Sequence, residues 1–184
     1  MRINNKLESM KKINELHLNK FPEQLFNKNE QDKVKEFLQI YPAKYYAIRD
    51  KSKAGGVFKL KVVAEDILTE IRDYSLFTIN VSSANYVENQ LLVGEIEILS
   101  SGEVYVTLSV DPSASVRDAL KNPTFNFSTD IFDKKLNKIP HFDLIYKYII
   151  SHSLQNVIVE FALFDTKVGI NIENIVIYEL RTNY

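Results

Sequence analysis

Apolar and polar residues alternate in several short stretches of the chain and recur at helical spacing in others. Alternation is typical of β-strands with one buried face, and apolar residues three or four positions apart are typical of amphipathic helices. The pattern predicts strands at 44–49, 58–62, 76–81, 91–99, 103–110, 156–164 and 172–181. It predicts helices at 7–18, 29–41 and 65–74, a short helix ending at 120 and another that Pro140 opens. Strands joined by turns, with helices between them, indicate an α+β fold with largely antiparallel sheets and flanking helices.

The helix predicted at 29–41 has the clearest beginning. Asn29 is of a residue type that caps helices, and Glu30 and Asp32 place negative charge in the first turn, where the helix dipole favours it. The sequence Asp-Pro-Ser at 111–113 is expected to break a strand and cap the short helix that follows. Residues 122–138 show neither periodicity and are predicted to be less ordered.

The last two predicted strands contain glutamates where core residues are expected. In the first of them, Glu160 alternates with apolar residues and shares a face with Ala162 and Phe164. The second strand is predicted to place four residues on one face: Ile175, Ile177, Glu179 and Arg181. Asp165 to Gly169 form the turn signal between the two strands, so the chain is predicted to end in a β-hairpin.

A hairpin closed near Gly169 places Glu160 opposite Glu179, with Arg181 one pleat away. Two carboxylates that face each other on an apolar sheet repel unless a cation lies between them. Either Arg181 or a hard divalent metal could supply that charge. The alternative to a functional site is a structural ion pair of Glu160 with Arg181 or Lys147.

Composition narrows the classes of function. The chain has 184 residues, 45% of them hydrophobic, and a formal net charge of -1, which gives no electrostatic footprint for nucleic acid. The sequence contains no cysteine, which excludes disulfides and thiolate chemistry. No apolar segment has the length of a membrane span or the form of a signal peptide, so a cytoplasmic location is expected, with neither nucleic acid nor membrane as partner.

Three other features of the sequence contain residue types that can bind phosphate or metal ions. Arg49 ends a predicted strand and precedes the loop 50–56, whose lysines and glycines suit phosphate, although a plain lysine-rich hairpin loop is the better interpretation of this stretch alone. Asp111 lies at a strand end, where a turn is the simpler explanation. The three histidines have no metal-ligand spacing and are expected at the surface or at helix ends: His17, His141 and His152.

Several segments match, in order, the motifs of a known family. They are Asn-Asn-Lys at 4–6 before Leu-Asn-Lys-Phe-Pro-Glu at 18–23, Ala-Ile-Arg-Asp at 47–50, Leu-Val-Gly-Glu-Ile at 92–96 with Ser-Val-Asp-Pro at 109–112, and Val-Ile-Val-Glu-Phe-Ala-Leu-Phe-Asp at 157–165 with Tyr-Glu-Leu-Arg-Thr at 178–182. Together they resemble the ATP-grasp nucleotide-binding domain of the phosphoenolpyruvate synthase and pyruvate phosphate dikinase family. The resemblance implies one ATP-grasp-like domain over 1–184, with lobes of roughly 1–90 and 91–184.

The resemblance also implies the roles of individual residues. Glu160 would be a Mg²⁺ ligand, and Glu179, which stands where the family has glutamine, a second metal or nucleotide contact. The residues that would contact ATP are Lys6, Arg49, Glu95 and Arg181. Of these, Arg181 and Lys6 are the catalytic candidates, because phosphoryl transfer requires cations arranged around a polyphosphate.

The function that the resemblance implies is binding of ATP and Mg²⁺, with transfer of a phosphoryl group to an unidentified acceptor. A second hypothesis is a non-catalytic module of the same fold, which senses nucleotide or binds another protein. A third is a small α+β protein that binds no nucleotide.

Overall fold

The computed structural model describes residues 2–52 and 56–182. The helices are α1 (Lys6–Glu15), α2 (Gln31–Ile40), α3 (Ile67–Glu70), α4 (Val116–Lys121) and α5 (Phe142–Ser151). The strands are β1 (Glu23–Asn27), β2 (Tyr46–Asp50), β3 (Phe58–Val62), β4 (Leu76–Val81), β5 (Gln90–Ile98), β6 (Glu103–Ser109), β7 (Phe125–Asp130), β8 (Ile158–Val168) and β9 (Glu173–Arg181). The chain forms two compact units: a smaller unit from Phe21 to Val87, and a larger unit of the residues before and after it.

The smaller unit is a four-stranded antiparallel sheet with strand order β1-β4-β2-β3. Helix α2 buries Val34 and Phe37, and Phe37 meets the Phe26 ring edge-on at 5.9 Å between centroids. Phe26 in turn stacks on Phe77 of the central strand β4. The apolar stripe of α2 therefore packs on the sheet through aromatic contacts, as its helical spacing predicts.

The larger unit is a five-stranded antiparallel sheet with order β7-β6-β5-β8-β9. One face of this sheet forms the main core with α1 and α5, which contribute Ile13 and Ile145 against strand residues such as Val159 and Phe161. Helix α4 packs against β5, β6 and β8. The α+β class and the antiparallel sheets predicted from the alternation are confirmed.

Residues 2–20 belong to the larger unit and cover the exposed edge of its sheet. Strand β9 is at the edge of the sheet, and an edge strand presents unpaired backbone amides. The amide of Leu180 donates to the Ser9 hydroxyl at 2.7 Å, and the amide of Ile177 donates to the Asn19 carbonyl at 2.8 Å. The structure therefore differs from the division expected near residue 90, since chain order alone does not reveal that Ser9 and Asn19 accept hydrogen bonds from the β9 amides.

Asn19 also holds the turn between β8 and β9 through its side chain, which is completely buried. Its Nδ2 donates to the carbonyls of Val168 at 2.9 Å and Ile175 at 2.8 Å. Its Oδ1 accepts a hydrogen bond from the backbone amide of Asn171 at 3.0 Å. A single amide side chain therefore satisfies polar groups on both sides of the hairpin, which buried backbone requires.

A β-bulge in β9 corrects one prediction about the terminal hairpin. Glu160 pairs with Glu179, as predicted, but the next residue Phe161 pairs with Ile177, so the register of the two strands shifts by one residue at Tyr178. An extra residue on one strand reverses which face the following side chains occupy. Ile175 and Ile177 consequently pack in the main core, while Glu179 and Arg181 share the opposite face with Glu160. The prediction that all four residues of β9 share one face is wrong.

Other differences from the predicted elements have local causes. Strand β7 occupies part of the stretch predicted to be less ordered, because β6 provides backbone partners for a segment with only two core-facing side chains, Phe125 and Phe127. Strand β1 was not predicted, and α3 is shorter than the helix predicted at 65–74.

The caps of α2 and α4 are Glu30 and Ser115 rather than Asn29 and the 111–113 segment. Ser115 is the N-cap of α4 because it forms a reciprocal capping box with Asp118.

Gly94 allows β5 and β6 to approach closely, immediately before Glu95. Its φ is 147°, and a Cβ there would overlap the Thr107 carbonyl oxygen and lie 2.9 Å from the Leu108 Cα. We expect Gly94→Ala to lower the free energy of unfolding by about 2–3 kcal/mol, measured by chemical denaturation. Gly102→Ala is the matched control, because its Cβ would meet nothing nearer than 3.7 Å and only the backbone strain remains. Equal losses for both variants would contradict the close-approach argument.

Among the helices of residues 2–52 and 56–182, none combines the length and the apolar character needed to cross a membrane.

Candidate functional site

A row of polar residues crosses the face of the larger sheet opposite the main core. The strand pairings align Asn126 with Thr107, Thr107 with Glu95, Glu95 with Glu160, and Glu160 with Glu179. Each strand contributes one residue because side chains alternate between the two faces, and on β6, β7 and β8 the neighbours on either side of that residue pack in the core. The row is therefore produced by the same alternation that builds the core.

Two cations join the three carboxylates of this row. Lys6 Nζ lies 2.8 Å from Glu179 Oε2, and Arg181 Nη2 lies 3.1 Å from Glu160 Oε1. The same Arg181 nitrogen also donates to Glu95. We call these five residues the charge cluster: Lys6, Glu95, Glu160, Glu179 and Arg181. With all five groups ionised, the cluster has one uncompensated negative charge.

The carboxylates of the charge cluster are poorly hydrated. The side chains of Glu160 and Glu179 are 16% and 17% exposed. Burial raises the pKa of the Glu160 carboxyl above its ordinary value, and the neighbouring Glu179 charge raises it further, while Arg181 and Lys6 oppose the rise. A carboxylate whose ionised form is disfavoured by burial and by a neighbouring like charge is stabilised by a further cation placed beside it.

Arg181 has hydrogen-bonding capacity left over. Its Nη2 contacts Glu95 and Glu160, but its Nε is buried and has no hydrogen-bond partner among the described residues. Buried donors are rarely left without an acceptor in folded proteins. An acceptor oxygen supplied from outside the chain would satisfy this nitrogen.

Of the residues predicted to form the site, the structure brings together all that lie in the larger unit. Lys6, Glu95, Glu160, Glu179 and Arg181 are in contact, although their separations reach 173 positions in the sequence. Arg49 lies in the smaller unit, on β2, where its guanidinium is 4.6 Å from the centre of the Phe58 ring. Residues 53–55 of the candidate phosphate loop 50–56 lie outside the described residues.

The alternatives weighed for other residues have clear outcomes. The cation beside Glu160 is Arg181, whereas Lys147 is exposed on α5. Asp111 forms a turn, because its Oδ1 accepts hydrogen bonds from the amide and hydroxyl of Ser113, both at 2.8 Å. The three histidines lie at helix ends, as predicted: His17 follows α1, and His141 and His152 cap α5.

Sequence reasoning missed two features of the site. Glu97 lies two residues after Glu95 on the same face of β5 and is 7% exposed. Burial raises the pKa of the Glu97 carboxyl, and the nearby Glu95 charge raises it further. The alternation of the two glutamates in β5 was a signal that could have identified it. The pairing of Lys6 with Glu179 was also missed, and no local pattern could have predicted a contact between residues so far apart in the chain.

The sequence matches no protein-family model and no curated protein. Solved structures nevertheless share the fold. An N5-carboxyaminoimidazole ribonucleotide synthetase, solved as an ADP complex, has a TM-score of 0.51 at 14% identity, covering 96% of this chain and 44% of its own. The macrocyclase MdnC from Microcystis aeruginosa, bound with the precursor peptide MdnA, has a TM-score of 0.51 at 14% identity, covering 96% and 50%.

These likenesses establish the fold of the chain. The D-alanyl-alanine synthetase A of Vibrio cholerae is a further neighbour, with a TM-score of 0.48 at 15% identity, covering 97% of this chain and 55% of its own. The chain spans about half the length of the solved structures it matches. The fold is ATP-grasp-like, as the sequence motifs predicted.

Proposed function

We propose that this protein binds ATP together with Mg²⁺ at the charge cluster and transfers a phosphoryl group to an unidentified acceptor. The observation that supports the proposal is the charge cluster itself: three carboxylates and two cations on one face of an ATP-grasp-like sheet. The ADP complex of one structural neighbour supports nucleotide as the ligand class. The resemblance to the phosphoenolpyruvate synthase and pyruvate phosphate dikinase family supports phosphoryl transfer over other uses of ATP.

The donor set determines which form of metal the cluster fits. Among the described residues, no group of three or more His, Cys, Asp or Glu side chains is arranged to hold a metal ion. Mg²⁺, however, is commonly bound by one or two carboxylates together with phosphates and water. Glu160 and Glu179, opposite each other on adjacent strands, meet that requirement. The residues therefore fit Mg²⁺ that arrives with a polyphosphate.

In this proposal each member of the cluster has a role. Glu160 and Glu179 would hold Mg²⁺, which neutralises the charge that develops on a transferring phosphoryl group. Arg181 would donate its free Nε to a phosphate oxygen. Lys6 is 29% exposed, and its ammonium group would leave Glu179 and contact a second phosphate oxygen. Glu95 would keep Arg181 oriented, because the two side chains are already hydrogen-bonded. Arg49 lies on the smaller unit, and its contact with phosphate remains a prediction of the family resemblance.

We expect isothermal titration to detect binding of ATP in the presence of Mg²⁺ and no binding of ATP in EDTA. The physical reason is that a cluster with one net negative charge repels a polyphosphate whose charge is not neutralised. A thermal-shift measurement provides an independent readout, since a ligand that binds the native state raises the melting temperature. Absence of binding at millimolar nucleotide with Mg²⁺ would refute the proposal.

A non-catalytic nucleotide sensor is the second candidate. The observation that favours it is that both cations of the cluster already have carboxylate partners, so the cluster is stable without ligand. The two candidates differ in turnover: formation of ADP and of a phosphorylated acceptor in fractionated lysate supports the phosphotransferase. Tight ATP binding with no ADP formed across all fractions supports the sensor.

A further inference from the structure

Every carboxylate of the charge cluster is paired with a cation of the same chain. Lys6 is paired with Glu179, and Arg181 is paired with both Glu95 and Glu160. Lys6 and Arg181 are 29% and 41% exposed, and the carboxylates are less exposed than either cation. The carboxylates are therefore too buried for water to replace a lost partner fully, and breaking one pair leaves a partly buried negative charge uncompensated.

A metal ion that binds alone would break these pairs without replacing them. If a divalent cation took Glu160 and Glu179, Lys6 would lose its carboxylate and Arg181 would keep only Glu95. Two cations of the chain would then lie beside the added positive charge of the metal. This like-charge arrangement opposes binding of the metal by itself.

A polyphosphate that binds alone meets the opposite difficulty. To reach Lys6 and Arg181, its oxygens must displace the glutamates, which then face each other across β8 and β9 without any cation. The Nε of Arg181 has no partner among the described residues that a phosphate would have to replace, but it is buried, and a single donor does not offset three carboxylates. The polyphosphate therefore also binds poorly by itself.

We propose that the ion pairs of Lys6 and Arg181 act as an internal gate, which admits a divalent metal and a polyphosphate only together. When both arrive, partners are exchanged: Glu160 and Glu179 pass to the metal, Lys6 passes to a phosphate, and Arg181 contacts a phosphate while keeping Glu95, so each group of the cluster retains a partner of opposite charge. The inference rests on the proposed function, because it describes how that site is loaded. Linkage requires the effect to be reciprocal, so each ligand increases the affinity for the other by the same factor.

The decisive experiment removes one cation and measures the metal alone. Lys6→Met deletes the partner of Glu179, and we expect this variant to bind Mn²⁺ in the absence of nucleotide about tenfold more tightly than the wild type. The same variant should bind Mn²⁺·ATP about tenfold more weakly, because a phosphate contact is lost. Mn²⁺ is the probe, followed by its electron paramagnetic resonance signal, and affinity for Mn²⁺·ATP is measured by calorimetry.

Two further variants separate the gate from a general loss of structure. Lys12→Met removes a surface pair with Glu15 from the same helix, where the two groups are 3.2 Å apart, and neither affinity should change. Arg181→Met should behave like Lys6→Met, whereas Arg181→Lys, which keeps the charge, should gain no affinity for Mn²⁺ alone. The melting temperature of each variant establishes that it is folded.

The possible outcomes distinguish the gate from the proposed function. If the wild type binds Mn²⁺·ATP but neither Lys6→Met nor Arg181→Met gains affinity for Mn²⁺, the gate is refuted and nucleotide binding stands. The gate is also refuted if wild-type protein binds Mn²⁺ equally well with and without ATP. If the variants gain Mn²⁺ affinity but the wild type binds no nucleotide, the proposed function is refuted and the coupling to polyphosphate is refuted with it.

Discussion

Glu160→Gln should weaken binding of ATP with Mg²⁺ by roughly 10–100-fold while leaving the protein at least as stable as the wild type at neutral pH. Glutamine has the shape of glutamate and can still accept a hydrogen bond from Arg181, which also retains Glu95. What disappears is the negative charge that a metal ion needs. Calorimetric titration and thermal unfolding of the same preparation measure the two effects.

The pH dependence of stability gives Glu160→Gln a second readout. Burial and the Glu179 charge raise the pKa of Glu160 in the folded protein, so folding favours the protonated carboxyl. Below the ordinary pKa of the carboxyl, Glu160 is protonated in both the folded and the unfolded protein, and its ionisation costs no stability. As the pH rises through the raised pKa of the folded state, ionisation of Glu160 lowers the free energy of unfolding of the wild type. Because glutamine never ionises, the stability of the variant relative to the wild type should increase with pH across that interval.

Glu103→Gln is the matched control for Glu160→Gln. Glu103 lies on β6 of the same sheet, is exposed, and accepts a hydrogen bond from Ser101 that glutamine can also accept. We expect no change in nucleotide affinity and no change in the pH dependence of stability. If Glu160→Gln instead unfolds the protein and has no separate effect on ligand binding, the pair with Arg181 is structural, and the interpretation of Glu160 as a metal ligand is wrong.

Asn19→Ala should produce the largest loss of stability, about 3–5 kcal/mol in the free energy of unfolding. The substitution removes the donors to Val168 and Ile175 and the acceptor for the Asn171 amide. Both carbonyl-bearing residues are buried, so their oxygens lose hydrogen bonds where water has little access. Urea denaturation followed by circular dichroism measures the change.

Asn171→Ala tests whether the Asn19 network is responsible for that loss. The Asn171 side chain donates to the His17 carbonyl at an exposed position, but its backbone amide, which reaches Asn19, is unchanged by the substitution. We expect a loss below about 1 kcal/mol. Similar losses for Asn171→Ala and Asn19→Ala would show that the turn is sensitive to any change and that the buried network has no special role.

The terminal hairpin shows how much of the candidate site was predictable. The alternation in residues 156–164 and the turn signal before Gly169 predicted that Glu160 and Glu179 would be opposite each other, and the pairing of β8 with β9 confirms it. The turn signal lies about midway between the two glutamates in the sequence, so a hairpin closed there places them opposite each other, and the two register shifts between β8 and β9 leave that pairing in place. The bulge at Tyr178 was not predictable. It allows Ile177 to pack in the core while Glu179 lies on the opposite face beside Glu160, and both contacts depend on the tertiary structure.

The sequence named both cations of the site, and the pair of Arg181 with Glu160 was among the alternatives, but the pairs of Lys6 with Glu179 and of Arg181 with Glu95 were not predicted. Lys6 and Arg181 were selected as phosphate-binding residues through a family resemblance, and those roles remain predictions. Their ion pairs join residues 173 and 86 positions apart. Contacts of that separation depend on how α1 packs along β9 and how β5 pairs with β8, and no periodicity in the sequence contains that information.

The sequence by itself determined the elements that local physics controls: the alternating strands, the tight turns, the amphipathic helix α2 and the ATP-grasp-like order of motifs. Only the tertiary structure decided that residues 2–20 cover the edge of β9, that a bulge places Glu179 and Arg181 on the face of Glu160, and that both cations are paired with carboxylates. The physical reason is that burial, edge pairing and charge compensation depend on which residues are neighbours in space. The sequence pattern specifies such neighbours only where two segments are joined by a short turn.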